Sequence, residues 1–376
     1  MNYTAIMYAQ EIFDSDLLAG IGFGLCFGPP IILGWIAGVY SDRIPPSIIV
    51  IVSQLVFVAA GGLFWILHTL GDDKSLQISL YISATFLVGV GWSFLAPSRL
   101  AALAQIVPAK ALHQASIIFN LLIMIGFGIA PILLALCKTQ YGWDGVFVTI
   151  ASLFFVATLL LLRIRTRATT DKALSVLGQV KEGLAAAMAT PLLWQLLICS
   201  MLIYMLMGPM QVLLPRFATS VLGYGEIDRG LFLGVLAVSL IIGGILCMLF
   251  SKRLPFGVMI LLCIYVGALA ILAISQSHTI LQAGSALMVA GMAGGFGVSL
   301  IVAGLQHHAP DNMRGRILSI YTITSQVIPA FSGLMAGAMS EYLGVATALQ
   351  VCAMLIIAFG ITGALKLRAV RAYKTS

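Results

Sequence analysis

The chain has 376 residues, of which 61% are hydrophobic and only 9% charged, with a net charge of +7 and a mean hydropathy of +1.08. Soluble domains carry about 25% charged residues, so an ordinary soluble protein is excluded. No basic patch interleaves with aromatics, which argues against nucleic-acid binding. A polytopic α-helical membrane protein is expected instead.

A helix that crosses a bilayer needs about 20 apolar residues. The chain opens with a partial run, 1–13, too short to cross alone, with no cleavable signal peptide visible. Counted as span 1, it is followed by eleven further runs at 16–40, 47–70, 77–100, 114–137, 145–162, 192–214, 230–250, 256–274, 280–306, 317–339 and 344–365. The longest hydrophilic stretch lies in the middle, so the organisation reads as a first bundle (1–162), a charged linker (163–190) and a second bundle (191–376).

The basic residues alternate across these gaps. Sixteen lie on the side of the even-numbered loops and the C-terminal tail, and four (Lys74, Lys138, Arg216 and Arg229) on the other. The positive-inside rule makes the rich side cytoplasmic, with an inner-membrane location and a cytoplasmic C-terminus. The alternation would scramble if a span had been missed.

The two halves repeat one another. Ser41-Asp42-Arg43-Ile44-Pro45 follows span 2, and Ser251-Lys252-Arg253-Leu254-Pro255 follows span 8, at an offset of 210. Gly20 aligns with Gly230 and Gly34 with Gly244 at the same offset. Leu103–Pro108 after span 4 resembles Leu305–Pro310 after span 10. At the 210 offset Met1 matches Gln211, near the far end of span 7. About twenty residues of span 1 are therefore expected upstream, and either the start is placed too late or the chain is truncated. The chain as written is expected to transport poorly, and restoring those residues to rescue it.

Two six-span halves with a cytoplasmic linker resemble the major facilitator superfamily. Gly34, Gly38, Asp42 and Arg43 look like that family's loop 2–3 motif, although Ile44-Pro45-Pro46-Ser47 replaces its usual basic end. Val180–Leu193 is similar to the amphipathic lead-in to span 7 of the enterobactin-exporter and macrolide-efflux branch. Ala309–Arg316 with Ile320-Tyr321, and Ala96-Pro97-Ser98-Arg99, are similar to its loops 10–11 and 4–5. The resemblance implies an all-α fold of two pseudo-symmetric bundles, with the first helix short at its N-terminus. It implies a central cavity lined by spans 1, 4, 7 and 10, and rocking of the bundles. It also implies proton-driven efflux. Gly126-Phe-Gly128-Ile-Ala130-Pro131 in span 5 resembles the antiporter motif of drug exporters, with Ala130 in place of a glycine.

Charges at the cytoplasmic ends are read as a conformational latch. Arg99 is the candidate partner of Asp42, which could also face the positive N-terminus of span 11. Asp311 reads as an N-cap of span 11, and Arg314 and Arg316 are expected to pair with it or with lipid phosphates. A solvated loop pair is the plainer alternative for Asp42 and Arg43.

Ionisable groups inside membranes are costly and usually functional, and this chain has almost none in mid-span. Glu11 is the proton-coupling candidate; the plainer reading is a rim residue paired with Arg216. Asp14 and Asp16 read as loop residues, and His307 and His308 as headgroup-level residues at the inner end of span 10. Asn120, Gln195, Tyr204, Gln211, Ser325 and Gln326 are polar groups within spans. At about 100° per residue, Tyr204 and Gln211 share a face of span 7 and Gln195 points away. Asn120, Tyr204, Gln211 and Gln326 are the candidates for the substrate cavity, and Gln195 is expected to reach headgroups.

The cysteines (Cys26, Cys137, Cys199, Cys247, Cys263 and Cys352) form no metal or disulfide pattern. No HExxH, GxSxG or P-loop occurs, so no enzyme, metal or cofactor is expected. The leading expectation is a monomeric exporter of amphiphilic small molecules, drug or siderophore, coupled to protons. The alternatives are an importer or flippase of a metabolite or lipid, and a non-transporting receptor.

Overall fold

The computed structural model describes residues 1–33, 44–70, 73–108, 111–168, 176–250, 255–310 and 313–373. The described residues are helical with no strand, as a bilayer demands of a chain that must satisfy its backbone groups locally. The helices are α1 (Asn2–Ile12), α2 (Asp16–Phe27), α3 (Pro46–Thr69), α4 (Lys74–Ile106), α5 (Leu112–Leu161), α6 (Val176–Ala189), α7 (Pro191–Ser220), α8 (Glu226–Phe250), α9 (Phe256–Ser275), α10 (Ile280–His308), α11 (Arg314–Leu343), α12 (Val345–Lys366) and α13 (Arg368–Arg371). Among the described residues, ten helices are long and apolar enough to cross a membrane. One of these, α5, holds two spans. Gly142 breaks it with φ +66°, a left-handed conformation that glycine adopts without steric cost. This gives the eleven expected crossings, with spans 5 and 6 separated by a single glycine turn.

α1 has 11 residues, about 16 Å of helix at 1.5 Å per residue, roughly half the hydrocarbon core. Side chains fix it firmly. Tyr8 is buried against Phe13, Phe64, Trp143 and Phe147, with ring centroids 5.0–6.2 Å apart. The Tyr81 hydroxyl donates to the carbonyls of Ala5 and Leu18, both at 3.1 Å. Span 7 is the most enclosed of these ten: 72% of its most apolar stretch is buried, against 17% for Ile125–Leu161. Spans 5 and 6 therefore form an outer wall, and α7 the centre.

The halves meet along two seams that the 210-residue repeat relates. In the first, span 2 lies on span 11. A β-carbon on Gly20 would sit 3.1 Å from the Gly333 carbonyl oxygen and 3.2 Å from the Gly337 α-carbon. In the second, span 8 lies on span 5, where a β-carbon on Gly230 would sit 2.9 Å from the Pro131 carbonyl oxygen. Without a hydrophobic drive between helices in lipid, close approach of small residues supplies the contact. The span 5 motif takes part unequally. A β-carbon on Gly128 would meet Ala237 at 2.8 Å, while one on Gly126 would meet nothing.

The linker contains a folded element. Within it, α6 lies against α11, where a β-carbon on Gly183 would be 2.9 Å from the Arg316 β-carbon. Thr166 bonds the Ser47 amide and hydroxyl at 2.9 and 3.0 Å. Gln105 exchanges two hydrogen bonds with the Arg167 backbone at 2.8 and 3.0 Å. The C-terminal segment folds back likewise, with Gln195 accepting from the Val370 amide at 3.0 Å. Gln195, expected to reach headgroups, thus holds α13.

Candidate functional site

The charged residues of the weakly basic end draw together between the halves. Glu11, Lys138, Glu226 and Arg229 form a closed ring of alternating charge. Lys138 pairs with Glu11 and, at 2.7 Å, with Glu226; Arg229 pairs with Glu11 at 2.7 Å and with Glu226. Each half supplies one acid and one base. Arg229 is only 2% exposed, a position an arginine holds only when its charge is matched. Lys138 also lies over the Trp143 ring, 5.1 Å from its centroid.

A second cluster sits beside the first. Arg216 of α7 pairs with Asp14 at 2.5 Å and approaches Asp16 at 3.5 Å, and donates to the Gln10 carbonyl at 3.1 Å. Asp16 also accepts from Gln10 Nε2 at 2.9 Å and from the Ser340 hydroxyl at 2.5 Å. Gln10 Nε2 reaches the Val212 carbonyl at 2.9 Å. Glu341 accepts from the Ser15 hydroxyl at 3.2 Å and from the Leu17 amide at 3.0 Å. Two expectations are corrected here. Asp16 is no loop residue but opens α2 and is 5% exposed. Arg216 serves Asp14 and Asp16, while Glu11 takes Lys138 and Arg229. The physical reason is helix phase: Arg216 lies on the face of α7 that meets α1 and the start of α2, whereas Glu11 projects toward spans 5 and 8.

Tyr204 shares a hydrogen bond of 2.7 Å with Tyr321 of α11. The same face of α7 carries Gly208, where a β-carbon would lie 2.4 Å from the Gly333 amide. Gln211 is 3% exposed, and its Oε1 is buried without a hydrogen-bond partner, as is Oε1 of Gln326. The side chain of Asn120 lies outside the described residues, as do Gly34, Gly38, Asp42, Arg43 and Asp311.

At the strongly basic end, Arg316 pairs with Glu182 of α6 and touches the Met313 sulfur at 3.2 Å. Glu182 is thus a partner of Arg316 that the sequence did not suggest, while Asp311, the expected one, lies outside the described residues. α6 docks on α11 and brings a carboxylate that stands 134 residues away in the sequence. Arg314 begins α11. Arg99 stacks on Trp92 and Phe119, with its guanidinium carbon 4.9 and 5.3 Å from their ring centroids. It lines a cavity of about 560 Å³ inside the first half. His308 places its Nδ1 3.1 Å from the Gly304 carbonyl oxygen and packs its ring on Tyr373. Among the described residues no group of three or more His, Cys, Asp or Glu could hold a metal.

Sequence reasoning missed Lys138, Glu226, Arg229 and Tyr321 as site residues. Glu226 carried a signal, for it stands 210 residues after Asp16, at the offset of the repeat.

A family model described as Major Facilitator Superfamily matches residues 1–333. No curated protein matches the chain in sequence. Among solved structures, a D-xylose–proton symporter aligns over 100% of this chain and 94% of its own, at 13% identity and a TM-score of 0.76. A point mutant of the nucleoside transporter NupG aligns over 98% and 94%, at 11% identity and a TM-score of 0.76. A bacterial homolog of the human lysosomal transporter Spinster, inward-facing and unoccupied, aligns over 98% and 92%, at 16% identity and a TM-score of 0.70. At such identities the likeness concerns the fold. With the family match over most of its length, an all-helical architecture and ten helices fit to cross a bilayer, this chain is an integral, multi-pass membrane protein that belongs to the major facilitator superfamily of transporters.

Proposed function

We propose that the chain is a secondary transporter that exports amphiphilic small molecules by alternating access, coupled to protons. One observation carries this reading: among the described residues, the inter-half ion pairs and side-chain hydrogen bonds gather at one end, around Glu11, Arg229, Arg216 and Asp16. A charged seal at one end, with glycine seams along which the halves can pivot, suits a molecule that opens its ends in turn. The positive-inside rule makes the sealed end extracytoplasmic, in an inner membrane with the C-terminus cytoplasmic.

Glu11 is the proton-coupling group in this reading. When ionised, it balances Lys138 and Arg229 together with Glu226. Protonated, it would leave two cations facing one carboxylate and loosen the seal. Tyr204, Tyr321, Gln211 and Gln326 supply uncharged hydrogen-bonding groups between apolar walls, which suits an amphiphile better than a sugar or a phosphate. Siderophores and drugs are the two substrate classes this reading admits.

The test needs no substrate. Nitroxide labels at Ile12 and Tyr342, which are 43% and 82% exposed, report the separation of the halves at the sealed end. Two distance populations are expected, with the longer one enriched in Glu11→Gln. A single distance, unmoved by Glu11→Gln, overturns the reading.

A further inference from the structure

The linker begins with three arginines, Arg163, Arg165 and Arg167. All three are exposed, while Ile164 and Thr166 between them are half-buried. Successive side chains of an extended segment point to opposite sides, so Arg165 and Arg167 share the outward side. Among the described residues, none of the three has a carboxylate within ion-pair distance. No acidic residue occurs in 44–71, 90–143 or 145–170, so the stretches that surround the arginines add no negative charge. The segment is pinned in place. Thr166 Oγ1 bonds the Ser47 amide and hydroxyl at 2.9 and 3.0 Å, and Gln105 holds the Arg167 backbone at 2.8 and 3.0 Å. Such pre-ordering lowers the cost of binding.

Ser47, the anchor of this segment, stands at the mouth of an apolar groove. Ile44, Ile48, Val52 and Val56 line one side of it, at the start of span 3, and Val90 and Phe94 of span 4 line the other. Its volume is about 300 Å³, the lower end of the range of ligand pockets and room for one hydrocarbon chain. Ser53 is the one lining residue with a polar side chain, and its hydroxyl is turned back on the Ile49 carbonyl at 2.9 Å. Ile48 and Val52 are 48% and 52% exposed, so the groove opens outward to the bilayer. From Ile48 to Val56 the helix rises about 12 Å at 1.5 Å per residue. Positive charge at the mouth and a hydrocarbon slot leading inward match the two ends of an acidic lipid.

From this geometry we propose that the first half binds one anionic glycerophospholipid, its phosphate at Arg163, Arg165 and Arg167 and one acyl chain in the groove between spans 3 and 4. Guanidinium groups hold phosphate oxygens through paired hydrogen bonds as well as charge. A basic segment alone would draw any acidic lipid to its neighbourhood without ordering it. The groove beside the Ser47 anchor holds the chain of a single molecule. The site stands whatever the protein transports.

The test is native mass spectrometry of the full chain in detergent, titrated with dioleoylphosphatidylglycerol or dioleoylphosphatidylcholine. A single phosphatidylglycerol should be retained, at concentrations about tenfold or more below those that phosphatidylcholine needs. Replacing the three arginines together (Arg163→Gln, Arg165→Gln and Arg167→Gln) should abolish that preference. These side chains are exposed and unpaired, so the melting temperature without lipid should not move. Val52→Trp, which fills the groove, should weaken retention of both lipids, and the arginine variant keeps the test decisive if it does not fold. Equal retention of the two lipids by the wild type, or a preference that survives loss of the arginines, overturns the proposal. Phosphatidylglycerol retention unchanged in a folded Val52→Trp overturns it as well. Full displacement by glycerol 3-phosphate would assign the arginines to a free phosphate, and a dimer that excludes the lipid would give the groove to a second copy; either overturns the lipid assignment. All of these results leave the label distances at the sealed end, and the alternating-access reading they test, unaffected.

Discussion

Asp16 and Glu226 stand 210 residues apart and hold the same place in the two halves: each lies at the start of the second helix of its bundle, and each takes partners from the other half. Asp16 accepts from Ser340 of span 11 and faces Arg216 of span 7. Glu226 pairs with Lys138 at the end of span 5. The glycines one turn onward keep the same relation, Gly20 against span 11 and Gly230 against span 5. A duplicated six-helix unit thus meets its copy through two equivalent polar-and-glycine contacts.

Arg229 is the most enclosed member of the charged ring. Arg229→Gln should destabilise the folded protein by ~3 kcal/mol, the lower end of the range for breaking a buried pair, because both carboxylates are partly exposed. Thermal unfolding in detergent reads this. Lys138→Gln should cost less, since Glu11 and Glu226 keep Arg229. Equal effects of the two changes would refute the ranking.

Glu11→Gln should mimic protonation. The label pair at the sealed end is expected to show the longer separation more often than in the wild type. A variant that keeps the wild-type distances would remove Glu11 from the coupling role and leave the seal itself standing.

The glycine seams make a paired forecast. A β-carbon on Gly337 would lie 2.5 Å from the Asp16 carbonyl oxygen, so Gly337→Val should push the halves apart and depress folding yield and stability. Gly126→Ala should be close to neutral, or slightly stabilising through the unfolded state, because nothing lies near its β-position. Expression and melting temperature of the two variants check both statements.

Tyr321→Phe removes one partner of the Tyr204 hydroxyl pair. A cost of about 1 kcal/mol is expected for the lost hydrogen bond. If the pair contacts substrate, the KM for transport should rise by more than that bond accounts for, with Tyr204→Phe behaving alike. Transport kinetics in proteoliposomes measure the difference.

The export reading has its own check in cells. Mass spectrometry of siderophores in cells and medium, for wild type and a deletion strain under iron limitation, should show retention inside the deletion strain. An unchanged distribution would turn the substrate class toward drugs.

Composition, apolar run length and the alternation of basic residues were enough to place eleven crossings and a partial one, because bilayer thickness fixes helix length and charge fixes loop side. The repeat was legible because duplicated helices keep their glycines where they touch. Glu11 could be singled out for the same reason, a carboxylate standing in an apolar run. Its partners could not. Lys138 and Arg229 each sit at a span end that reads as an ordinary loop, and only the docking of span 8 on span 5 brings them to one point. Arg316 finding Glu182 has the same origin. Hydropathy periodicity and charge are written along each helix and survive reading one residue at a time. Which helix faces which, and at what rotation, is set by packing between elements far apart in the chain, and that packing alone decided the seal.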